Sequence, residues 1–347
     1  MSKREDIVVS VIIPVYQSKD TVRECVRSCL EQREIAPEQI EVILVDDGST
    51  DGSGEICDKL AYEDERRFAC YVKKTDDSKE TGGRVRVVHT KNHGVSHARN
   101  AGIDEAGGKY LVFVDSDDIV KDGFLKRLLD EADNETALVD ETDSFKSQNR
   151  VSGFFYIENS VLNRNTHVWG KLFSGDIIRD NRVRFSEELS IGEDLIFLLD
   201  FALLQGKKHT IKGIYSGDYV YRENGQGAMK GAFRESYLDE LKCWRIAQEK
   251  LLPYGRNLSK YAFVSVAASQ VMTAFLVAGK IAVMDESEID PDLRKRAISE
   301  VKAQIKHALK TQGAFASLPF GHKIKTIVFG LNSNLYLKLY GSHKSVK

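Results

Sequence analysis

Neither of the familiar phosphate cradles occurs in this chain. No GxxxxGK(S/T) run is present and no GxGxxG follows a strand-like segment, so P-loop and dinucleotide-binding chemistries are disfavoured. A GxSxG elbow is missing too, because Gly94-Val95-Ser96-His97-Ala98 lacks the second glycine. Cysteine is scarce: Cys25, Cys29, Cys57, Cys70 and Cys243 are odd in number and include no CxxC pair. That argues against a disulfide framework and for a reducing cytoplasm. With only 5 prolines, no biased tract and 42% apolar residues, the 347-residue chain is long and apolar enough for one large domain or two, and disordered or collagen-like classes are disfavoured. A net charge of −2 gives no electrostatic reason to expect nucleic acid. Long apolar runs are few. Ile7 to Tyr16, broken by Ser10 and Pro14, has no small-residue cleavage site after it and reads as a strand, not a signal peptide. Tyr261 to Ala278 contains Ser265, Ser269, Gln270 and Thr273, which favours a buried core helix over a membrane span.

What is there is a regular alternation over the first 130 residues. Ile7–Ile13 is a β-branched run suited to a strand buried on both faces. Residues 21–30 place Thr21, Val22, Cys25, Val26, Cys29 and Leu30 on one helical face. Strands follow at 41–45, 85–89 and 110–114, and helices at 53–63, at 95–106 and around Phe124, Leu125, Leu128 and Leu129. Residues 64–83 carry ten charges and read as a surface excursion. This order predicts an α/β fold with a mostly parallel sheet and helices on both faces, because parallel strands need crossover connections.

Ligands of such sheets bind at the carboxyl ends of the strands. Those ends carry Pro14-Val15-Tyr16, Asp46-Asp47-Gly48-Ser49-Thr50-Asp51, Asn92-His93-Gly94 and Asp115-Ser116-Asp117-Asp118. Three carboxylates within four residues repel one another unless a cation or proton compensates. Mg²⁺ or Mn²⁺ fits, since such ions are held by one or two carboxylates plus substrate phosphates. One of the three could instead cap a helix beginning near Ile119. His89, His93 and His97 recur every four residues, but Gly94 and the strand-to-helix change keep them off one helical face, which disfavours zinc.

Taken in order, these segments resemble glycosyltransferase family 2, whose members adopt the nucleotide-sugar-binding GT-A fold. The likeness rests on Val9–Tyr16, on Val45-Asp46-Asp47-Gly48-Ser49-Thr50-Asp51, on Asn92–Gly102 with Arg99-Asn100, and on Phe113-Val114-Asp115-Ser116-Asp117-Asp118. It continues less tightly through Trp169-Gly170-Lys171-Leu172, Gly192-Glu193-Asp194 and Tyr219–Gly227. The resemblance implies an inverting transferase that moves a sugar from a nucleoside-diphosphate donor, most often a UDP-sugar, to a saccharide or lipid-linked saccharide in cell-surface polysaccharide synthesis. By position, Pro14, Val15 and Tyr16 would line the base pocket, Asp47 would accept from the uracil with Asp46 supporting the turn, and Arg99 would lie near the nucleotide. Asp115 or Asp117 would reach the ribose, and Asp117 or Asp118 would hold the metal. Arg222 stands where a late phosphate-contacting segment is loosely matched. The catalytic domain is expected over residues 1–228 and a helical region over 229–347.

Inverting displacement needs a carboxylate base for the acceptor hydroxyl. Glu193-Asp194, after Gly192 and before an apolar helix, suits that role; the plain alternative is that both acids complement the positive end of the helix. The resemblance favours Asp194 as base with Glu193 beside it. Trp169 and Lys171 could form an acceptor platform, or Trp169 could be core. A sugar-nucleotide pyrophosphorylase and a non-catalytic nucleotide-sugar-binding protein are the competing readings.

The charge is lopsided. Residues 301–347 hold eight Lys and no Arg, Asp or Glu, so the remaining 300 residues are net −10. Ile324, Ile327, Val328 and Leu331 form an apolar stripe beside Lys323 and Lys325, followed by Leu335–Tyr340 with Lys338. Such a segment suits an anionic membrane surface, here the inner face of the plasma membrane; a solvated lysine face or a homodimer contact are the alternatives.

Overall fold

In the computed structural model, the described residues are 7–72, 83–141, 147–163, 165–222, 232–285 and 287–345. Parts of two expectations, the charged excursion at 73–82 and the segment 223–227, lie outside them. The chain divides into two compact units. The first comprises Met1–Tyr156, His167–Glu187 and Asp200–Asn224; the second comprises Ile157–Thr166, Glu188–Leu199 and Gly225–Lys347.

The strands are β1 (Val9–Val15), β2 (Ile40–Asp46), β3 (Val85–His89), β4 (Tyr110–Phe113), β5 (Ile119–Val120), β6 (Leu138–Glu141), β7 (Ser147–Ser152), β8 (Lys171–Ser174), β9 (His209–Ile214) and β10 (Tyr219–Val220). Eight of them form one sheet in the order β3-β2-β1-β4-β8-β6-β9-β7, and β5 pairs with β10 apart from it. The half built from β1 to β4 is parallel, with Val9 opposite Ile40 and Tyr110. The other half is mixed: β8 runs antiparallel to β4 and β6, and β7 to β9.

Alternation along β1 explains how both faces are filled. Val9, Val11, Ile13 and Val15 pack into one cluster with Val22, Cys25, Val26 and Cys29 of α1 (Val22–Leu30). Each fully buried valine or isoleucine among them contributes about 1.5–3 kcal/mol. Between them Ile12 points the other way, toward α3. The helix α2 (Ser53–Val72) runs well beyond the expected 63, so part of the charged excursion is helical, and α3 is Val95–Glu105. Gly102 of α3 lies so near Ile12 that a Cβ would come within 2.4 Å of the Ile12 methyl. Next come α4 (Phe124–Asp130), α5 (Gly153–Asn159), α6 (Gly175–Asp180) and α7 (Glu193–Gln205). No helix begins at Ile119: that residue is in β5, so the aspartates before it are not helix caps.

The second unit is helical, with α8 (Asp239–Leu251), α9 (Lys260–Ala282), α10 (Pro291–Ala308), α11 (Ala314–Ser317), α12 (Phe320–Leu331) and α13 (Ser333–Ser345). By length and composition α9 could cross a membrane, with a mean hydropathy of 1.7, but 67% of its most apolar window is buried inside the protein. Tyr237, Leu241, Val301, Phe329 and Tyr336 pack in one cluster with Val271 and Phe275 of α9. The buried Gln270 donates to the Trp244 carbonyl (3.2 Å) and Gln248 (2.8 Å), contacts that belong to a protein core.

Candidate active site

Hydrogen bonds knit the loops that leave β1 and β2 into one edge. Gln17, in the left-handed region at φ 51°, donates its backbone N–H to Ser49 Oγ (3.2 Å) and its amide to Thr50 (3.0 Å). Ser18 N–H donates to Ser53 Oγ (2.8 Å) and Lys19 N–H to Asp51 (3.1 Å). Tyr16 stands half-exposed on this edge. The Val15 side chain does not line it: strand alternation turns it into the core at 0% exposure, and its carbonyl accepts from the Asp47 N–H (2.9 Å).

Asp46 and Asp47 are both buried and serve different loops. Asp46 accepts from the Ser49 N–H (3.1 Å) and meets His89 Nδ1 (3.0 Å), whose Nε2 meets Asp58 (2.9 Å). These carboxylates, Asp58 first, hold the His89 pKa above its ordinary value. Asp47 accepts from Thr90 Oγ1 (3.0 Å), the His93 N–H (3.0 Å) and the Gly94 N–H (2.7 Å), which fixes the turn into α3. Three donors leave one of its roughly four acceptor positions.

The loop after β4 is held from three sides. Buried Arg99 of α3 donates to Asp115 (3.0 Å) and lies over the Phe185 ring, 5.2 Å from its centre. Ser116 Oγ meets Ser18 Oγ at 2.7 Å. Tyr219 of β10 accepts from the Asp115 N–H (3.2 Å) and donates to Asp118 (2.7 Å), which also accepts from the Arg222 N–H (2.8 Å). Burial pushes the Asp118 carboxyl up to about 6, against the hydrogen bonds from Arg222 and Tyr219. Asp117 is raised by burial first and by the neighbouring Asp115 charge second. The Arg222 guanidinium is engaged on both oxygens of Glu24, at 2.7 Å each.

Beside this loop the Trp169 ring is stacked between His167 (centroids 3.5 Å) and Tyr219 (4.7 Å), and is stacked with the exposed Tyr221 at 6.1 Å. His167 stays neutral, because burial, and after it the Lys171 charge, lowers its pKa to about 2. Lys171 is no acceptor platform. Its side chain is fully buried and faces Asp140 at 3.3 Å, and Asp140 also accepts from Tyr156 (2.6 Å).

Glu193 and Asp194 open α7, in residues belonging to the second unit. The approach to them is pinned to α8: Lys242 pairs with Glu188 (3.1 Å) and the Ser190 N–H donates to Asp239 (2.8 Å). Gly192 has φ 88°, and a Cβ there would lie 2.5 Å from Cys243 Sγ, so glycine is required twice over. Glu193 is buried and Asp194 half-buried.

Residues 10–171 match the model of glycosyl transferase family 2. Glycosyltransferase GlyG of Streptococcus pneumoniae is 37% identical over 258 residues, which cover 67% of this chain and 76% of GlyG. The chain belongs to glycosyl transferase family 2. The succinoglycan biosynthesis protein ExoO of Rhizobium meliloti is 29% identical, covering 67% of this chain and 65% of ExoO. Over the first curated relatives the matches span 61% to 76% of the relative's own length. Among solved structures, S. aureus TarS 1–349 in complex with UDP-GlcNAc has a TM-score of 0.53 at 18% identity, covering 90% of this chain and 93% of that one. Mannosyltransferase PcManGT of Pyrobaculum calidifontis, in complex with GDP-Man and Mn²⁺, has a TM-score of 0.51 at 16% identity, covering 97% and 86%. The fold of this family 2 chain is the GT-A arrangement, and membership sets aside the pyrophosphorylase reading.

Among the described residues of this family 2 chain, no three His, Cys, Asp or Glu groups converge as a ready metal cage. A nucleotide-bound ion needs less, since one or two carboxylates plus phosphates suffice. Asp117 meets that requirement: it is half-buried and carries charge that burial and Asp115 make costly. Asp118 is more committed: Tyr219 and Arg222 each donate to one of its oxygens, which leaves about two of its roughly four acceptor positions. Asp117 is thus the less committed of the two expected ligands, and Asp118 also anchors the loop. Sequence reading missed Tyr219, Ser18 and Ser116 as parts of the site. For Tyr219 the signals were its place at the start of the loosely matched stretch Tyr219–Gly227 and the alternating Tyr219-Val220-Tyr221, which is too short to show a period.

Proposed function

We propose that this protein transfers a sugar, with inversion, from a nucleoside-diphosphate donor of the UDP-sugar class to a hydroxyl of a saccharide or lipid-linked saccharide in cell-surface polysaccharide synthesis. The observation that carries the reading is the Arg99–Asp115 and Tyr219–Asp118 pair of bonds, which holds the acidic loop against α3 and β10 while Ser116 meets Ser18 of the turn after β1. The nucleotide sugars bound by TarS and PcManGT and the polysaccharide named for ExoO support the donor and acceptor classes. Pro14 and Tyr16 offer side chains to the base, and Asp47 keeps an acceptor position for the base N–H. Asp115, oriented by Arg99, receives the ribose hydroxyls.

Asp117 would hold the divalent ion, Mn²⁺ or Mg²⁺. What a bound ion supplies is neutralisation of the charge on the departing diphosphate. Asp194 accepts the proton of the acceptor hydroxyl while its oxygen bonds to the sugar C1. The C1–phosphate oxygen bond breaks and its electron pair leaves with the nucleoside diphosphate. Glu193 shapes the turn that presents Asp194, and Trp169 with Tyr221 offers an aromatic face to an acceptor sugar. The proposed catalytic domain, residues 1–228, takes in the whole first compact unit together with Ile157–Thr166, Glu188–Leu199 and residues 225–228 of the second, and 229–347 is the helical region. Cys25, Cys29, Cys57 and Cys243 are buried free thiols, which suits a cytoplasmic location.

The test is turnover of a panel of UDP-sugars with Mn²⁺, with the product's anomeric configuration read by NMR. Asp194→Asn is expected to lose about 10²- to 10⁴-fold in turnover while binding UDP as the wild type does. Normal turnover by that variant refutes the base assignment, and retention of configuration refutes inversion.

A further inference from the structure

The second unit exposes an apolar stripe that its own core does not use. On α12, Phe320 is 79% exposed, Ile324 48%, Ile327 55% and Leu331 84%. At about 100° per residue these four fall within about 60° of arc and along about 17 Å of helix. The opposite side of the same helix supplies Thr326 and Phe329 to the interior. After Asn332, α13 exposes two more apolar side chains one turn apart, Leu335 (49%) and Leu339 (57%). Six large apolar side chains stand in solvent within twenty residues of sequence, four of them along one line of α12, and such a concentration marks an interaction surface.

Charge decides what it meets. Lysine flanks the stripe at the same spacing twice, in Phe320-x-x-Lys323-Ile324 and Leu335-x-x-Lys338-Leu339. Lys302, Lys306, Lys310 and Lys338 are exposed, and residues 301–347 contain no acidic group to offset them. The same α12 gives His322 and Lys325 to a cavity of about 500 Å³ shared with Met272, Leu276 and Lys280, so apolar walls and cationic groups meet there as well. A second copy of the chain is a poor cover, because a symmetric contact would bring two eight-lysine segments together. A bilayer with anionic headgroups satisfies both features: the stripe enters the acyl boundary while the lysines stay among the phosphates.

We infer that α12 and α13 form an in-plane docking surface for an anionic lipid bilayer. The surface seats the chain at the membrane without a spanning helix. This inference is independent of the donor and base assignments, since it concerns adhesion alone.

The test is flotation of the full chain with vesicles of phosphatidylglycerol and phosphatidylcholine, against vesicles of phosphatidylcholine alone. At least tenfold stronger partitioning onto the anionic vesicles is expected. Phe320→Glu and Leu331→Glu, at positions over three-quarters exposed, should unfold at the wild-type temperature yet lose at least tenfold in partitioning. Lys323→Glu with Lys338→Glu should abolish the preference for anionic lipid. The inference fails if the wild type stays in the aqueous layer with both vesicle types, or if the glutamate variants float as the wild type does. It fails equally if the chain is a dimer that Leu331→Glu converts to a monomer without any vesicle binding, which would make a second copy the cover.

Discussion

The Tyr219 hydroxyl joins the two ends of the acidic loop: it accepts from the Asp115 N–H at 3.2 Å and donates to Asp118 at 2.7 Å. One phenol from β10 thus sets the spacing of the aspartates that precede β5, and the β5–β10 pairing, with Tyr219 opposite Val120, keeps it there.

Removing that hydroxyl strands a buried carboxylate oxygen and a backbone N–H. Tyr219→Phe should therefore cost about 1–3 kcal/mol of stability and weaken UDP affinity, because Asp115 and Asp117 lose their fixed spacing. Urea unfolding and UDP titration measure the two effects. Unchanged stability with unchanged affinity would show that the bridge does not organise the loop.

Lys171 lies in a different regime from the rim residues. Its ammonium is buried against Asp140, which Tyr156 also supports. Lys171→Met takes the ammonium away from the buried Asp140 carboxylate, a loss of about 3–5 kcal/mol. Adding Asp140→Asn should recover much of that loss. Whatever fraction of Lys171→Met folds should bind UDP normally, since the pair is structural; a stable variant with altered acceptor use would restore the platform role.

His89 gives the fold a pH dependence. Asp58 and Asp46 favour its imidazolium, so the folded protein keeps the proton to a higher pH than the unfolded chain, whose value is near 6.5. The stabilisation is fully present below that value and is lost as pH rises through the folded pKa. The difference in urea midpoint between wild type and His89→Gln should be largest near ~pH 6 and smaller near ~pH 9. A difference that grows with pH would contradict the pairing.

Most of the parallel half of the fold was legible, and for one reason: β1, β2 and β4 are buried on both faces and so appear as mainly apolar runs, interrupted by Ser10 and Pro14 in β1 and by Glu41 and Asp46 in β2. The mixed half was not. There β6 and β8 are four residues long and carry charge inward at Asp140, Glu141 and Lys171, which no apolar pattern reveals. The acidic loop was legible as a cluster, but the division among Asp115, Asp117 and Asp118 was not. It depends in part on Tyr219 and Arg222, about a hundred residues away, which each donate to one oxygen of Asp118. Lys171 misled for the same reason, since a lysine beside a tryptophan reads as exposed until Asp140 is found opposite it.

The central claim is that the acidic loop binds a nucleoside diphosphate through a divalent ion held by Asp117. Calorimetric titration of UDP with and without Mn²⁺, on wild type and Asp117→Asn, tests it most directly. Binding at least tenfold tighter with Mn²⁺, and an enhancement that disappears in Asp117→Asn while the variant remains folded, is the predicted result. UDP affinity that ignores Mn²⁺ in the wild type, or an enhancement that survives in Asp117→Asn, would contradict it.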